Sequence, residues 1–239
     1  MEKLLKLIFP EKCIFCGQFG DVFCVECLKK CKVLMDSFCI VCDKVSIGGS
    51  THEKCMDIQN TQESVHRLNL IFPSRLITLF SYEGVVRECI KRAKFSGREF
   101  LAFKRLAQFG CTYAVKLGLD FKDFIAVPVP VSSNRMRERG FNQSEMIAKI
   151  ICGNFKIKMG TSILIRKKDT PHQTTFDRES RFKNVENAFK VNKKVEGVNI
   201  LLVDDICTTG ATFLEASKVL MNAGAISVEC FALSKKLKV

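Results

Sequence analysis

Residues 199–212, NILLVDDICTTGAT, constrain the fold more than any other part of the chain. The apolar run 200–203 predicts a buried strand, and two carboxylates, Asp204 and Asp205, follow at its carboxyl end. A loop of Thr and Gly then leads into a predicted helix over residues 213–223. Open α/β sheets bind ligands where such strands end, so this stretch predicts an α/β fold with a site at the sheet edge.

The residue types in this stretch indicate a site for ribose 5-phosphate. Carboxylates accept hydrogen bonds from vicinal hydroxyls, so Asp204 and Asp205 suit the ribose diol. The loop offers backbone N–H groups, hydroxyls and a helix N-terminus, which together suit a phosphate dianion. We assign the phosphate-binding loop to Thr208, Thr209, Gly210, Ala211 and Thr212.

Two other classes of protein place paired acids after an apolar strand. A nucleoside triphosphatase would carry a GxxxxGK[ST] loop earlier in the chain, and the sequence contains none. A receiver domain needs more chain than the 34 residues that follow Asp205. We therefore discount both classes.

The rest of the C-terminal part alternates strand-like and helical patterns. Short apolar or β-branched runs predict strands over residues 124–127, 163–166, 198–203 and 226–233. Helical patterns cover residues 82–94, 98–117 and 143–151. This alternation predicts a mostly parallel sheet flanked by helices.

Cysteine pairs dominate the N-terminal part, where eight of the 13 cysteines precede residue 56. Four thiolates, or three thiolates and an imidazole, are ligand sets that tetrahedral Zn²⁺ accepts. The first candidate set is Cys13, Cys16, Cys24 and Cys27, and the second is Cys39, Cys42, His52 and Cys55. We expect one or two structural zinc ions. An iron–sulfur cluster is the alternative, but short knuckles around polar turns favour zinc.

Each candidate set consists of two knuckles, and a knuckle is a pair of ligands separated by two residues, such as Cys13 and Cys16. The spacing does not decide which two knuckles share a metal ion. Neighbouring pairs can share an ion, or a cross-braced fold can join the first pair to the third and the second to the fourth. Cys31 is left over as an alternative ligand or a packed thiol. A polar linker follows, and we place the boundary between a zinc-binding module, residues 1–61, and a larger domain, residues 62–239.

Charge indicates a polyanionic partner for the middle of the chain. Of a net charge of +13, residues 1–60 and 200–239 contribute none, whereas residues 61–199 hold 26 Lys and Arg against 13 acids. The phosphates of a nucleotide or of a nucleic acid fit this surplus. Because Lys6 and Pro10 interrupt the apolar N-terminus, we expect no signal peptide and no membrane insertion, hence a cytoplasmic protein with reduced thiols.

Further motifs give the chain a family resemblance. VPVP at 127–130 and RERGFNQS at 137–144 precede the 200–212 block, and the cysteine pairs come first. Block 200–212 resembles the phosphoribosyl pyrophosphate signature of type I phosphoribosyltransferases, and the motifs together resemble the ComF family. The resemblance implies a type I phosphoribosyltransferase fold that binds phosphoribosyl pyrophosphate with Mg²⁺, with Asp204 and Asp205 on the ribose hydroxyls.

The same resemblance implies two further parts of the site. Residues 130–134 would form the pyrophosphate loop, with Arg135, Arg137 and Arg139 as candidates to neutralise the diphosphate. Residues 166–184 look like the mobile flap that covers such sites. The flap candidates are Arg166, Gln173, Arg178 and Arg181.

The sequence is compatible with three hypotheses for the function. The family's link to natural competence implies a role in DNA uptake and in handling single-stranded DNA, and a basic face of Arg87, Lys91 and Lys94, with Arg98 beyond, is compatible with it. The alternative is an active phosphoribosyltransferase whose nitrogenous acceptor the sequence does not identify. A third reading makes the zinc module a docking surface for a partner such as a helicase of the uptake machinery.

Overall fold

A five-stranded parallel sheet organises the protein in a computed structural model that describes residues 11–57, 72–93, 97–167 and 178–237. The strand order is β1-β7-β6-β2-β3, and every neighbouring pair is parallel. The strands are β1 Arg75–Ser81, β2 Phe124–Pro128, β3 Lys158–Met159, β6 Asn199–Cys207 and β7 Ser227–Lys235. The predicted parallel sheet is confirmed, and β6 lies at its centre.

The α-helices of the described residues are α1 Val25–Lys29, α2 Glu53–Asp57, α3 Gly84–Arg92, α4 Gly97–Lys116, α5 Ser133–Arg139, α6 Gln143–Phe155, α7 Arg178–Val185 and α8 Ala211–Asn222. Helices α3, α4 and α6 pack on one face of the sheet, and α8 packs on the other. Successive side chains of β6 point to opposite faces of the sheet, as in any pleated strand. Leu201 and Val203 pack with α3, α4 and α6, whereas Ile200 and Leu202 pack with α8.

The predicted elements are present, with some shifted ends. Strands β6 and β7 continue past the predicted residues 203 and 233, because they pair with each other in register as far as Cys207 and Lys235. Helix α8 begins at Ala211, two residues earlier than predicted. Strand β1, at the edge of the sheet, was not predicted.

A small antiparallel pair, β4 Leu164–Arg166 and β5 Phe189–Val191, lies between β3 and β6 in the chain. Within the segment that the family resemblance assigns to the flap, residues 178–185 form α7, which packs against α8. Val185 supplies a buried apolar side chain for this packing. Residues 168–177, including Gln173, lie outside the described part of the chain.

The N-terminal segment is joined to the sheet rather than appended to it. The Leu34 amide donates to the Leu79 carbonyl at 2.9 Å, and the Ser81 amide donates to the Lys32 carbonyl at 2.8 Å. Phe23 is fully buried in the same core as Phe80. The segment therefore covers the edge of β1, which would otherwise expose unpaired backbone groups. The expected boundary between residues 61 and 62 lies outside the described residues.

Over the described ranges, no helix combines the length and the apolar character that crossing a bilayer demands.

Candidate ligand site and metal centres

The two predicted acids lie at the carboxyl end of the central strand, within the last four residues of β6. Asp204 is held in place by two hydrogen bonds to its Oδ1 atom. The Ser144 hydroxyl donates to it at 2.7 Å, and the Asp205 backbone amide donates at 2.9 Å. The side chain of Asp204 also interacts with the side chain of Asp205.

Burial and the neighbouring charge of Asp205 raise the pKa of Asp204 to about 7. The hydrogen bond from Ser144 acts in the opposite direction, because it favours the charged form. Ionisation of Asp204 is thus less favourable than ionisation of an exposed aspartate. A group of this kind at a sheet edge is a candidate for a functional site.

Three buried polar residues at the start of α6 support the acids. The Asn142 side-chain amide donates to the Val129 carbonyl at 3.0 Å, and its oxygen accepts from the Ser144 backbone amide at 3.0 Å. The Gln143 amide donates to the Ile90 carbonyl at 3.3 Å. These residues belong to the motif RERGFNQS at 137–144, for which no individual role was predicted. A polar run at the start of an apolar helix pattern is the sequence feature that could have indicated them.

The three candidate arginines of α5 separate into two groups. Arg135 and Arg139 are four residues apart and share one face of the helix. Burial and the charge of Arg135 lower the pKa of Arg139, while Asp205 opposes this change, so these three charges lie close together. Arg137 is exposed and bonds to Asn134. Only two of the three arginines are thus grouped with the acids.

Tyr82, for which the sequence predicted no role, lies near both Asp205 and Arg87. Burial and the Asp205 charge raise the pKa of Tyr82, and the positive charge of Arg87 acts against them. Arg87 is exposed on α3. The predicted basic face therefore begins beside the site, although Lys94 and the Arg98 side chain lie outside the described part.

The predicted phosphate loop connects β6 to α8. Gly210 has a φ of +80°, a conformation that favours glycine, and it precedes the first residue of the helix. The Ala211 amide donates to the Thr209 hydroxyl at 3.5 Å. The side chains of Thr208, Thr209 and Thr212 remain partly exposed. The loop therefore presents hydroxyls and a helix N-terminus at the end of the strand that carries the acids.

Two flap candidates, Arg166 and Arg181, have side chains that the structure describes. Both lie near the part of the hydrophobic core that contains Phe189 and the buried face of α8. The Arg166 guanidinium is 5.4 Å from the centre of the ring of Phe189, a residue of that core, which is a cation–π distance. Arg181 is partly exposed on α7. The Arg178 side chain and Gln173 are outside the described residues.

Both predicted metal-ligand sets come together, and neighbouring pairs share each site. Within each set the four ligand atoms lie within 4.8 Å of one another: Cys13, Cys16, Cys24 and Cys27 in the first, and Cys39, Cys42, His52 and Cys55 in the second. The arrangement is consecutive and not cross-braced.

The separations of the ligand atoms fit zinc. Cys16 and Cys24 have Sγ atoms 3.6 Å apart, near the roughly 3.8 Å that tetrahedral Zn–S bonds of about 2.3 Å require. Cys42 Sγ and His52 Nδ1 are 3.3 Å apart. Two cysteine-rich groups could therefore hold zinc ions.

The spare thiol behaves as a packed side chain. Cys31 is buried, and its Sγ lies 3.9 Å from the Cys27 carbonyl. Burial raises the pKa of Cys31 to about 12. Within the first metal-ligand set, hydrogen bonds from the backbone of Cys24, Cys16 and Phe15 outweigh burial and lower the pKa of Cys13 to about 6, whereas burial raises the pKa of Cys24 and Cys27. Cys31 is separated from the ligands by its position outside both sets.

This chain is similar in sequence to several known proteins. A family model described as "Phosphoribosyl transferase domain" matches residues 142–238. "Competence protein ComFC" of Bacillus subtilis is 29% identical over 93% of this chain and 88% of its own length. "DNA utilization protein YhgH" of Escherichia coli is 31% identical over 68% of this chain and 73% of its own length.

A second "Competence protein ComFC", from Streptococcus pneumoniae, is 28% identical over 93% of this chain and 99% of its own length. Among solved structures, a hypoxanthine phosphoribosyltransferase of Staphylococcus aureus matches 57% of this chain and 69% of that chain at 14% identity, with a TM-score of 0.37.

Proposed function

The chain belongs to the ComF family of phosphoribosyltransferase-like proteins, and we propose that it binds Mg²⁺-phosphoribosyl pyrophosphate and acts in the handling of incoming DNA. One observation carries the proposal. Asp204 and Asp205 and the loop from Thr208 to Thr212 follow one another from the central strand into a helix N-terminus. Carboxylates that suit a diol and a loop that suits a phosphate are thereby adjacent, which supports ribose 5-phosphate as the ligand.

Each part of this ligand has a counterpart in the site. The 5-phosphate would accept hydrogen bonds from the loop, and the ribose hydroxyls would donate to the two acids. The diphosphate would lie toward Arg135 and Arg139, whose rigid charged forks suit phosphate oxygens. Mg²⁺ would neutralise diphosphate oxygens, since it binds through substrate phosphates and few protein groups. Arg166, Gln173, Arg178 and Arg181 belong to the segment that would close over the ligand.

The proposed link to DNA rests on the relatives' names and on charge. The relatives are named "Competence protein" and "DNA utilization protein", and the second name describes work with DNA. Residues 61–199 carry the charge surplus, and exposed Arg87 and Lys91 of α3 can face a phosphate backbone. We place this work in the cytoplasm, where single strands would arrive, with a helicase as a candidate partner.

Calorimetric titration of the zinc-loaded protein with Mg²⁺-phosphoribosyl pyrophosphate tests the ligand site. The Asp204→Ala, Asp205→Ala double variant should lose binding, because both diol acceptors are gone. The matched control is Asp120→Ala, Asp123→Ala, which removes two exposed carboxylates ahead of β2 and should bind as the wild type does. Absence of binding to the wild type would refute the site assignment.

Two further assays separate the functional classes. Binding of a single-stranded oligonucleotide that weakens steeply with salt supports the DNA-handling role, because phosphate contacts release counterions. Release of pyrophosphate on addition of a nucleobase would establish the alternative, an active transferase. If the protein binds neither DNA nor the donor, the proposal fails in both parts.

A further inference from the structure

The second metal-ligand set lies directly against the phosphate loop. A Cβ atom placed on Gly210 would be 3.0 Å from the Ile40 carbonyl oxygen and 3.1 Å from Ile40 Cγ1. Ile40 follows Cys39, is nearly fully buried, and belongs to the core that α8 shares. The knuckle formed by Cys39 and Cys42 therefore packs directly against the phosphate loop. The absence of a side chain at Gly210 allows this close approach.

A buried ion pair fastens the same knuckle to the end of the sheet. Lys235, with a side chain only 2% exposed, pairs with Asp43, whose side chain is 16% exposed. Asp43 directly follows Cys42, and its amide donates to the Cys39 carbonyl at 2.9 Å, which closes the knuckle. A buried ammonium without its partner is costly, so this contact fixes where the knuckle sits.

Lys235 also lies beside Cys207, the residue at which the phosphate loop begins. In the β6–β7 ladder Lys235 is the register partner of Cys207. The next residue, Lys236, donates its amide to the Cys207 carbonyl at 2.9 Å. The knuckle thus contacts the loop at both ends, through Lys235 at Cys207 and through Ile40 at Gly210.

The first metal-ligand set has different neighbours. Asp21, between Cys16 and Cys24, pairs with Arg105 of α4 at 3.1 Å. Arg92 of α3 donates to the Ile14 carbonyl at 3.1 Å. These contacts are to α3 and α4 rather than to the phosphate loop.

We infer that the second metal centre is part of the ligand site, because it holds Ile40 and Asp43 as positioning residues that keep the loop 207–212 in its phosphate-binding conformation. The inference rests on the proposed function for the identity of the ligand. Backbone N–H groups bind a phosphate well only when they already point at it, so a loosened loop loses affinity. The first centre, by contrast, stabilises the fold without acting on the ligand.

Two variants with the same chemical change separate these roles. Asp43→Asn removes the charge that pairs with Lys235, and Asp21→Asn removes the charge that pairs with Arg105. Hydrogen exchange of the zinc-loaded protein should show faster exchange of amides 207–212 in Asp43→Asn and unchanged exchange there in Asp21→Asn. Titration with Mg²⁺-phosphoribosyl pyrophosphate should show affinity reduced at least about tenfold in the first variant and less than about twofold in the second.

Asp43→Asn could act by losing metal or by failing to fold, so metal content is measured and a second variant is prepared. Zinc is measured in every preparation, and if Asp43→Asn loses metal or does not fold, Ile40→Ala replaces it. This variant removes the Ile40 side-chain atoms beside Gly210, with part of the core packing, and leaves all metal ligands and the Asp43–Lys235 pair in place. Equal exchange at 207–212 in the Asp43 variant, or in its replacement, and in the Asp21 variant would overturn the inference. If the wild type binds no ligand, the proposed function fails, and the exchange comparison still decides whether the knuckle positions the loop.

Discussion

Replacement of Asp204 by Asn should stabilise the ligand-free protein at alkaline pH while it impairs the ligand site. Asn keeps the Oδ1 acceptor for Ser144 and for the Asp205 amide, so the local hydrogen bonds survive. It removes a carboxylate whose ionisation is opposed by burial and by the neighbouring Asp205. The variant therefore changes charge with little change in shape.

The expected gain follows from the pKa. The folded value of about 7 exceeds the reference value of 3.8, a difference of about three pH units, or about 4 kcal/mol at most. Because the folded pKa is raised, the stability that comes from the protonated carboxyl is fully present below pH 3.8. It is lost as the pH rises through 7. The advantage of the Asn variant should thus grow by about 1.4 kcal/mol between pH 6 and pH 8.

Urea unfolding followed by circular dichroism measures this difference, with zinc-loaded wild type and variant compared at each pH. The control is Asp123→Asn, an exposed carboxylate before β2, which should leave the free energy of unfolding within about 0.5 kcal/mol. A stability advantage of Asp204→Asn that stays constant between pH 6 and pH 8, or a variant less stable than the wild type at pH 8, would refute the argument.

Two other outcomes are expected. Arg139→Met should weaken binding of Mg²⁺-phosphoribosyl pyrophosphate by about tenfold or more, since a charge-assisted hydrogen bond contributes about 1.5–3 kcal/mol. The control Arg137→Met, on the opposite face of α5, should change the affinity less than about twofold. Equal losses of affinity in a titration would contradict the grouping of Arg139 with Asp205. Phe23→Ala should lower the free energy of unfolding by about 3–5 kcal/mol in a single transition, because Phe23 lies in the core shared with the sheet; a separate early transition in a urea titration would show that the N-terminal segment unfolds on its own.

Local patterns in the sequence predicted the elements that carry the site. A run of apolar residues followed by two acids and a Thr/Gly loop has few structural solutions, and residues 199–212 adopt the predicted strand, loop and helix. The eight candidate metal ligands and the two members of each pair were also predictable, because the short spacing within a pair restricts which ligands can meet. Their roles in ligand and metal binding remain predictions.

Features that depend on distant parts of the chain were not predictable. Strand β1 holds Arg75 and Thr78 among its apolar residues, and its place in the sheet depends on pairing with β7, about 150 residues later. Whether knuckles pair consecutively or in a cross-brace depends on how loops fold over the sheet. Helix α7 has a polar sequence and becomes a helix beside α8.

The sequence by itself therefore determined the chemistry of each segment: the acids, the phosphate loop, the knuckles and the alternation of strands and helices. Tertiary structure alone decided which segments meet. It brought Ser144 to Asp204, Arg139 to Asp205, and the second knuckle to Gly210 and Lys235. The physical reason is that periodicity and spacing report interactions within a few residues, whereas these contacts join residues 60 to 192 positions apart and arise only when the whole core is packed.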